Sequence, residues 1–147
     1  MRRGGWLKGS RPSEDGSSHA PHLEDLDVSD ATFTCPDLTS FCRLDGLGLE
    51  VTGQRIEPDR AILACRPVDA DDWCRDCGGQ GLIRGSVVRL LSHVPLGWRP
   101  TVLHVRLRRY RCIECGRVWR QDTSAAAEPR SKLSRAALRW GLEGLVV

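Results

Sequence analysis

The chain is short of the side chains that usually build a core. Its 147 residues include one tyrosine, two phenylalanines and one methionine, and aromatics make up 5%. Apolar residues reach 40%, enough for one modest domain but a thin supply, so a covalent or metal staple would help. No run of eighteen apolar residues occurs, which excludes a membrane-spanning helix. The opening Met1-Arg-Arg-Gly-Gly-Trp-Leu-Lys lacks an apolar stretch of signal-peptide length, which argues against secretion. Cysteine is the exception to this scarcity, with seven, but an odd number excludes a fully paired disulfide framework. The expectation is a cytoplasmic protein in a reducing compartment, where Cys-x-x-Cys pairs are more often metal ligands than bridges.

Acidic residues are scarce in one half of the chain. From Arg84 onward thirteen Lys/Arg face four Asp/Glu, a local balance of +9 within a net charge of +3. The first 83 residues hold nine basic and fifteen acidic groups, a balance of −6. Such asymmetry suggests a polyanion-binding half joined to a more acidic one. Arginine-rich faces also serve solubility alone, and that plainer reading stays open here.

Residues 1–30 are rich in Gly, Ser, Pro, Asp and Glu without an apolar period, the composition of a disordered extension. Residues 31–72 read as a short α/β lead-in that packs on the cysteine-bearing module after it. Within it Asp37–Leu44 forms one short helix that turns Phe41 and Leu44 towards the core. Strands over Leu47–Thr52 and Arg60–Pro67 follow, separated by a polar turn at Glu57-Pro58-Asp59. Residues 73–122 read as a zinc-ribbon-like finger in which 82–91 and 101–110 are extended and pair as a hairpin. The loop between them is punctuated by Pro95, Gly97 and Pro100. Leu103, Val105 and Leu107 alternate with His104, Arg106 and Arg108, a period of two with an apolar and a basic face. Arg117–Arg120 is a short return strand.

Residues 123–147 read as a linker and a helix that Ser131 caps. On its wheel Lys132, Arg135, Arg139 and Glu143 share a narrow polar arc. Leu133, Ala137, Leu138, Trp140, Leu142 and Leu145 cover most of the rest, a surface that needs partners on more than one side and offers a route to oligomers. The whole is expected to be a small α+β fold.

Cys74-x-x-Cys77-Gly78 and Cys112-x-x-Cys115-Gly116 form the sharpest motif. A two-residue gap lets one tight turn present both sulfurs to the same ion, and zinc takes a tetrahedron of thiolates at about 2.3 Å. Glycine after the second cysteine tolerates positive φ and lets backbone N–H groups approach the sulfurs. Two such knuckles close the coordination shell, so the expected Zn²⁺ site is structural, with no position for substrate. The thirty-four residues between the pairs exceed the roughly fifteen to twenty of the simplest zinc motifs. The expected hairpin brings the second knuckle back beside the first.

A redox role for the cysteine pairs is the rival, but such motifs normally stand singly at a helix N-terminus. Cys35, Cys42 and Cys65 read as small buried hydrophobes. His93 and His104 are not needed as ligands, and His104 shares the basic face. Arg106, Arg108, Arg109, Arg111, Arg117 and Arg120 crowd the second knuckle, more than a site of formal charge −2 needs to be offset. With Tyr110 and Trp119 interleaved they suit phosphate contacts and stacking on nucleic acid.

Residues 31–147 resemble the N-terminal region of insertion-sequence transposases of the ISL-three family. The resemblance lies in Trp73-Cys-x-x-Cys-Gly, the segment Leu91-Ser-His-Val-Pro-Leu-Gly-Trp-Arg-Pro100, Arg108-Arg-Tyr-Arg-Cys-x-x-Cys115 and Ser131-Lys-Leu-Ser134. It implies a zinc finger followed by a helix-turn-helix and a carboxylate-bearing catalytic domain, with recognition of double-stranded DNA at the element's terminal inverted repeats. Only the first helix of a truncated helix-turn-helix is expected here. Two-metal phosphoryl transfer needs carboxylates held on a large scaffold, whereas Asp69, Asp71, Asp72 and Asp76 cluster in a loop. The expectation is therefore a DNA-binding module without catalysis. The alternative is a zinc-ribbon module that binds protein through Trp73, Trp98, Trp119 and the tail helix.

Overall fold

The computed structural model describes residues 37–146. The extension expected over 1–30, and Cys35, lie outside the described residues. Asp37 caps helix α1 (Leu38–Phe41), its carboxylate accepting from Thr39 N at 2.9 Å and from Ser40 Oγ at 2.7 Å. This helix is shorter than expected because Arg43 adopts a left-handed φ of 53° and redirects the chain. Leu44 is fully buried as expected, but Phe41 is 75% exposed rather than in the core.

A 3-10 turn at Asp45–Leu47 leads into β1 (Leu49–Ile56), and β2 (Ala61–Pro67) returns antiparallel to it. The hairpin expected in the cysteine gap is present and longer than predicted, formed by β3 (Gly81–Leu96) and β4 (Arg99–Cys112). Residues expected to loop out continue the strands up to a tight Gly97-Trp98 turn. Pro95 is tolerated because it falls in the irregularity between His93 and Leu96. β5 (Val118–Arg120) pairs antiparallel with the far end of β4.

The sheet is mixed. β4 runs parallel to β2, from Ala61↔Thr101 to Cys65↔Val105, giving the order β1-β2-β4-β3 with β5 beside β4. The segment before the knuckles and the hairpin that carries them thus share one sheet. The fold is mostly β with a short C-terminal helix.

The period of two in β4 resolves as predicted over its first half: Leu103, Val105 and Leu107 are fully buried and Arg106 and Arg108 exposed. With Leu44, Leu47, Leu49, Leu63, Leu91, Ala126 and Ala127 they make the core, and each buried aliphatic side chain stabilises by roughly 1.5–3 kcal/mol. The register Arg89↔Val105 sets Arg89 on that same face. Its guanidinium donates to Thr123 Oγ1 at 2.7 Å and to the carbonyls of Glu128 and Ser131 at 2.6 and 3.1 Å. The linker is thereby fastened across the core.

The C-terminal helix, α2 (Arg135–Glu143), starts later than the Ser131 cap predicted. Ser134 is its N-cap, accepting from Ala137 N at 3.0 Å. Residues before it are held extended against the edge of β3: Ser92 N donates to Lys132 O at 2.7 Å and Ser134 N to Ser92 O at 3.0 Å. Ser131 Oγ serves Leu133 N instead. No residue of α2 is buried, so its apolar side chains, Leu138, Trp140 and Leu142 among them, stay exposed.

His93 joins this helix to the first one. Its Nε2 lies 3.1 Å from Cys42 O, and Nδ1 lies 2.9 Å from Ser134 Oγ. A carbonyl only accepts, so Nε2 carries the proton and Nδ1 accepts from the serine hydroxyl. Burial holds the His93 pKa below its ordinary 6.5, against the opposing hydrogen bond to Cys42 O. The folded state therefore prefers neutral imidazole, and the unfolded chain binds more protons below about pH 6.5. Stability from this group is full above that value and is lost as the pH falls towards the folded pKa. Ser134→Ala removes both the cap and the acceptor's donor, and should cost about 1–3 kcal/mol in urea unfolding at neutral pH. An unchanged midpoint would show that the serine is dispensable.

Candidate metal centre and its surroundings

Local hydrogen bonding shapes the two cysteine turns. Gly78 N donates to Cys74 O at 2.9 Å and Cys112 N to Arg117 O at 2.8 Å. Gly78 and Gly116 take φ of 72° and 76°, the left-handed backbone expected of glycine there. The hairpin register brings Gly81 opposite Cys112, and Ile113 N donates to Gln80 O at 3.3 Å. The second knuckle therefore sits beside the first.

The four sulfurs converge. Cys74 and Cys115 Sγ are 3.6 Å apart, Cys77 and Cys112 Sγ 3.3 Å, and all four lie within 4.8 Å of one another. These separations far exceed the roughly 2.05 Å of a disulfide. They approach the S···S edge of about 3.8 Å of a tetrahedron built on zinc–sulfur bonds near 2.3 Å. Cys74 and Cys112 are buried, Cys77 and Cys115 exposed. The cluster could hold a metal ion such as zinc.

The protons on these sulfurs are distributed unevenly. Backbone N–H groups of Cys115 and Glu114 bring the Cys112 thiol down to about 6. At Cys77 the Gly79 N–H favours the thiolate, but the crowded sulfurs of Cys112, Cys115 and Cys74 push its pKa up to about 12. Four negative sulfurs repel one another without a cation between them, and a dication reverses that balance. The donor set, the spacing and the N–H groups turned to sulfur fit a thiophilic ion.

Gly79 makes the cradle tight. A Cβ there would lie 2.8 Å from Glu114 Cγ, 3.1 Å from Cys112 Sγ and 3.4 Å from Cys77 Sγ. Gly79→Ala should therefore weaken metal retention about tenfold or more, roughly 1–3 kcal/mol of overpacking at the ligands. Competition with a chromogenic chelator measures it, and wild-type retention would show that the turn yields without strain.

Of the other cysteines, Cys42 and Cys65 fall where the sequence placed them. Cys42 and Cys65 are buried and free, and loss of hydration raises both thiols, Cys65 to about 12 with Cys42 adding to the effect. His104 is half-buried and His93 bonds Cys42 O and Ser134 Oγ between the two helices, and neither lies in the sulfur cluster.

The six arginines do not form one ribbon. Arg106 and Arg108 alternate onto the face opposite the core. Arg109 and Arg111 have the other parity, and Arg109 stands directly across from Arg120 on β5. Arg117 pairs with Asp76 in the first knuckle. Tyr110 is not available for stacking on a ligand as the sequence suggested, and half-buried Trp119 has one face turned to it. Tyr110 is 1% exposed and stacks on Trp119 at a centroid distance of 5.6 Å. Its hydroxyl donates to Ala70 O at 2.7 Å, and Trp119 Nε1 donates to Asp71 O at 2.8 Å.

Two basic residues that sequence reasoning passed over belong to this region. Arg75 and Arg89 line a cleft together with Arg117 and Arg120. Arg75 lies between two metal-ligand candidates in Cys74-Arg-Asp-Cys77, and Arg89 interrupts the apolar period Val87, Leu91. Each was a visible signal. No protein-family model, curated protein or solved structure matches the chain.

Proposed function

We propose that the chain is a zinc-stapled DNA-binding module, with Cys74, Cys77, Cys112 and Cys115 holding one structural Zn²⁺ and arginines at the knuckle end gripping the duplex. The convergence of four sulfurs from the two ends of one hairpin carries this reading. Four thiolates fill zinc's tetrahedron, so the ion organises the fold and supplies no open position for catalysis. The zinc-ribbon-like character of the finger follows from this ligand set.

The DNA reading draws support from unspent charge. Arg106, Arg108, Arg109, Arg111 and Arg120 are exposed and make no ion pair among the described residues. Such a density of free guanidinium groups suits phosphate contacts. By its resemblance to ISL-three transposases, the target is double-stranded DNA at the terminal inverted repeats of an insertion element.

Metal analysis of the purified chain should find one zinc per chain. Gel-shift titration at several salt concentrations should give a slope of log K against log salt near −3.6, at about −0.9 for each of about four phosphate contacts. Binding that ignores salt, or no binding to element-end or scrambled duplex, defeats the DNA reading while leaving the metal site intact. Arg108→Ala with Arg111→Ala should weaken that binding without changing the melting curve.

One observation favours a second reading, a protein-binding module. A groove of about 620 Å³ lies between Phe41, Leu47, Leu96, Ala136 and Trp140, and Trp98 at the hairpin tip is 81% exposed. Self-association through α2 is the simplest form of that reading, and sedimentation over a concentration series tests it.

A further inference from the structure

A cleft of about 200 Å³ opens at the end of β5, lined by Arg75, Arg89, Arg117 and Arg120 together with Asp71 and Asp122. Four guanidinium groups face two lining carboxylates, and Asp76 on Arg117 adds a third, so the cleft keeps a net positive charge. Both acids are already engaged: Asp71 accepts from Asp122 N at 2.9 Å and from Arg75 at 3.5 Å, and Asp122 accepts from Ser124 N and Oγ at 3.0 and 2.7 Å. Arg117 leans on Asp76, and Arg89 is committed to the linker carbonyls. Arg120 has no such partner among the described residues.

The register sets a second cation against Arg120. Arg109 and Arg120 stand directly opposite on antiparallel strands, and like charges in that position destabilise a sheet. Of the pair Arg120 lines the cleft, so an anion seated there lowers the repulsion from the Arg120 side. The volume limits what the anion can be, since sites that enclose an organic ligand run to roughly 300–1,000 Å³. This cleft holds a small group presented from outside. Arginine, planar and with five donors, meets phosphate oxygens in pairs.

We propose that this cleft is a phosphate-binding site that seats one phosphoryl or phosphodiester group, with Arg120 as the principal donor and Arg75 and Arg117 beside it. It deepens the DNA reading and rests on it where the group is a backbone phosphate. Free phosphate chemistry at the same arginines does not depend on that reading. Asp71 sets the rim: its backbone is held at φ 49°, in a region non-glycine residues seldom occupy, by bonds to Asp122 N and Arg75.

The test uses the full zinc-loaded chain with two probes, inorganic pyrophosphate by calorimetry and a short DNA duplex by fluorescence anisotropy. Wild type should bind both. Arg120→Ala should weaken pyrophosphate at least tenfold and reduce the salt slope for duplex by about 0.9. Its thermal midpoint should hold or rise, since the facing charge is gone. Arg55→Ala on β1, whose guanidinium pairs with Glu57, should leave pyrophosphate binding as it is. Pyrophosphate that fails to bind, or binds Arg120→Ala as tightly as wild type, overturns the cleft, whether or not duplex is bound. Arg120-dependent pyrophosphate binding without any duplex binding keeps the cleft as a site for free phosphate and removes the DNA reading instead.

Discussion

Replacing Cys112 with serine, or stripping the metal with a strong chelator, should abolish on the order of 10 kcal/mol of metal-coupled folding free energy at neutral pH. That is comparable with the whole stability of an ordinary domain, about 5–15 kcal/mol. The cost is so large because removing one ligand opens the tetrahedron and leaves three thiolates facing one another without a cation. Cys112 is a damaging position also because it ends β4, pairs with Gly81 in the sheet and is itself buried. The aliphatic core lies on residues 42–65, 91–107 and 126–127, and none of it comes from the knuckles. Hydrogen exchange should therefore show residues 68–80 and 112–120 losing protection first, and the sheet melting at much lower denaturant than the zinc-loaded chain. Cys74→Ser should behave alike. Identical melting curves with and without chelator would mean that the sulfurs hold nothing that matters to the fold.

Acid should act in the same direction through two separate groups. Protons compete with the ion for sulfur, so metal affinity falls as pH falls. The depressed pKa of His93 independently removes stability below about pH 6.5. The two separate cleanly, because only the first responds to added zinc.

Patterns that live within a single element were legible in the sequence. The alternation in β4, the two knuckles with their left-handed glycines and the hairpin in the cysteine gap are all local, and each follows from spacing alone. Pairings between distant segments were not. The lead-in was expected to pack on the finger, but nothing in Ala61–Pro67 announces that it does so as a strand parallel to β4, because a short apolar run fits several arrangements. Ser131 and Ser134 are equally good caps by composition, and the choice falls to Ser134 because β3 needs an extended partner at Ser92. Phe41 was assigned to the core by its apolarity, yet the turn at Arg43 sends it outward. Arg89, between Val87 and Leu91, drew no role from the sequence. It is the donor that fastens the linker, a role fixed by residues about forty positions away.

Tyr110 shows the same limit most sharply, and its substitution carries the second large effect. The sequence sets it among arginines, as a ring for stacking on a base. The parity of β4 would also place it opposite the core residue Leu107, and it does lie on the other side of the sheet. There, however, a second small core covers it. Trp119 stacks on it, Gly81 packs so close that an added Cβ would lie 2.6 Å from the Trp119 ring, and Ala70 O receives its hydroxyl. This cluster fastens the return strand and the 68–72 segment to the base of the knuckles. Tyr110→Ala should cost about 3–5 kcal/mol by the loss of a buried aromatic ring. Tyr110→Phe keeps the ring and strands one carbonyl, for about 1–1.5 kcal/mol. Denaturant unfolding of the zinc-loaded protein measures both. DNA affinity of Tyr110→Phe, measured where the protein stays folded, should equal wild type. A phenylalanine variant of unchanged stability but weakened DNA binding would restore the ring to the surface role that its neighbours in the sequence suggested.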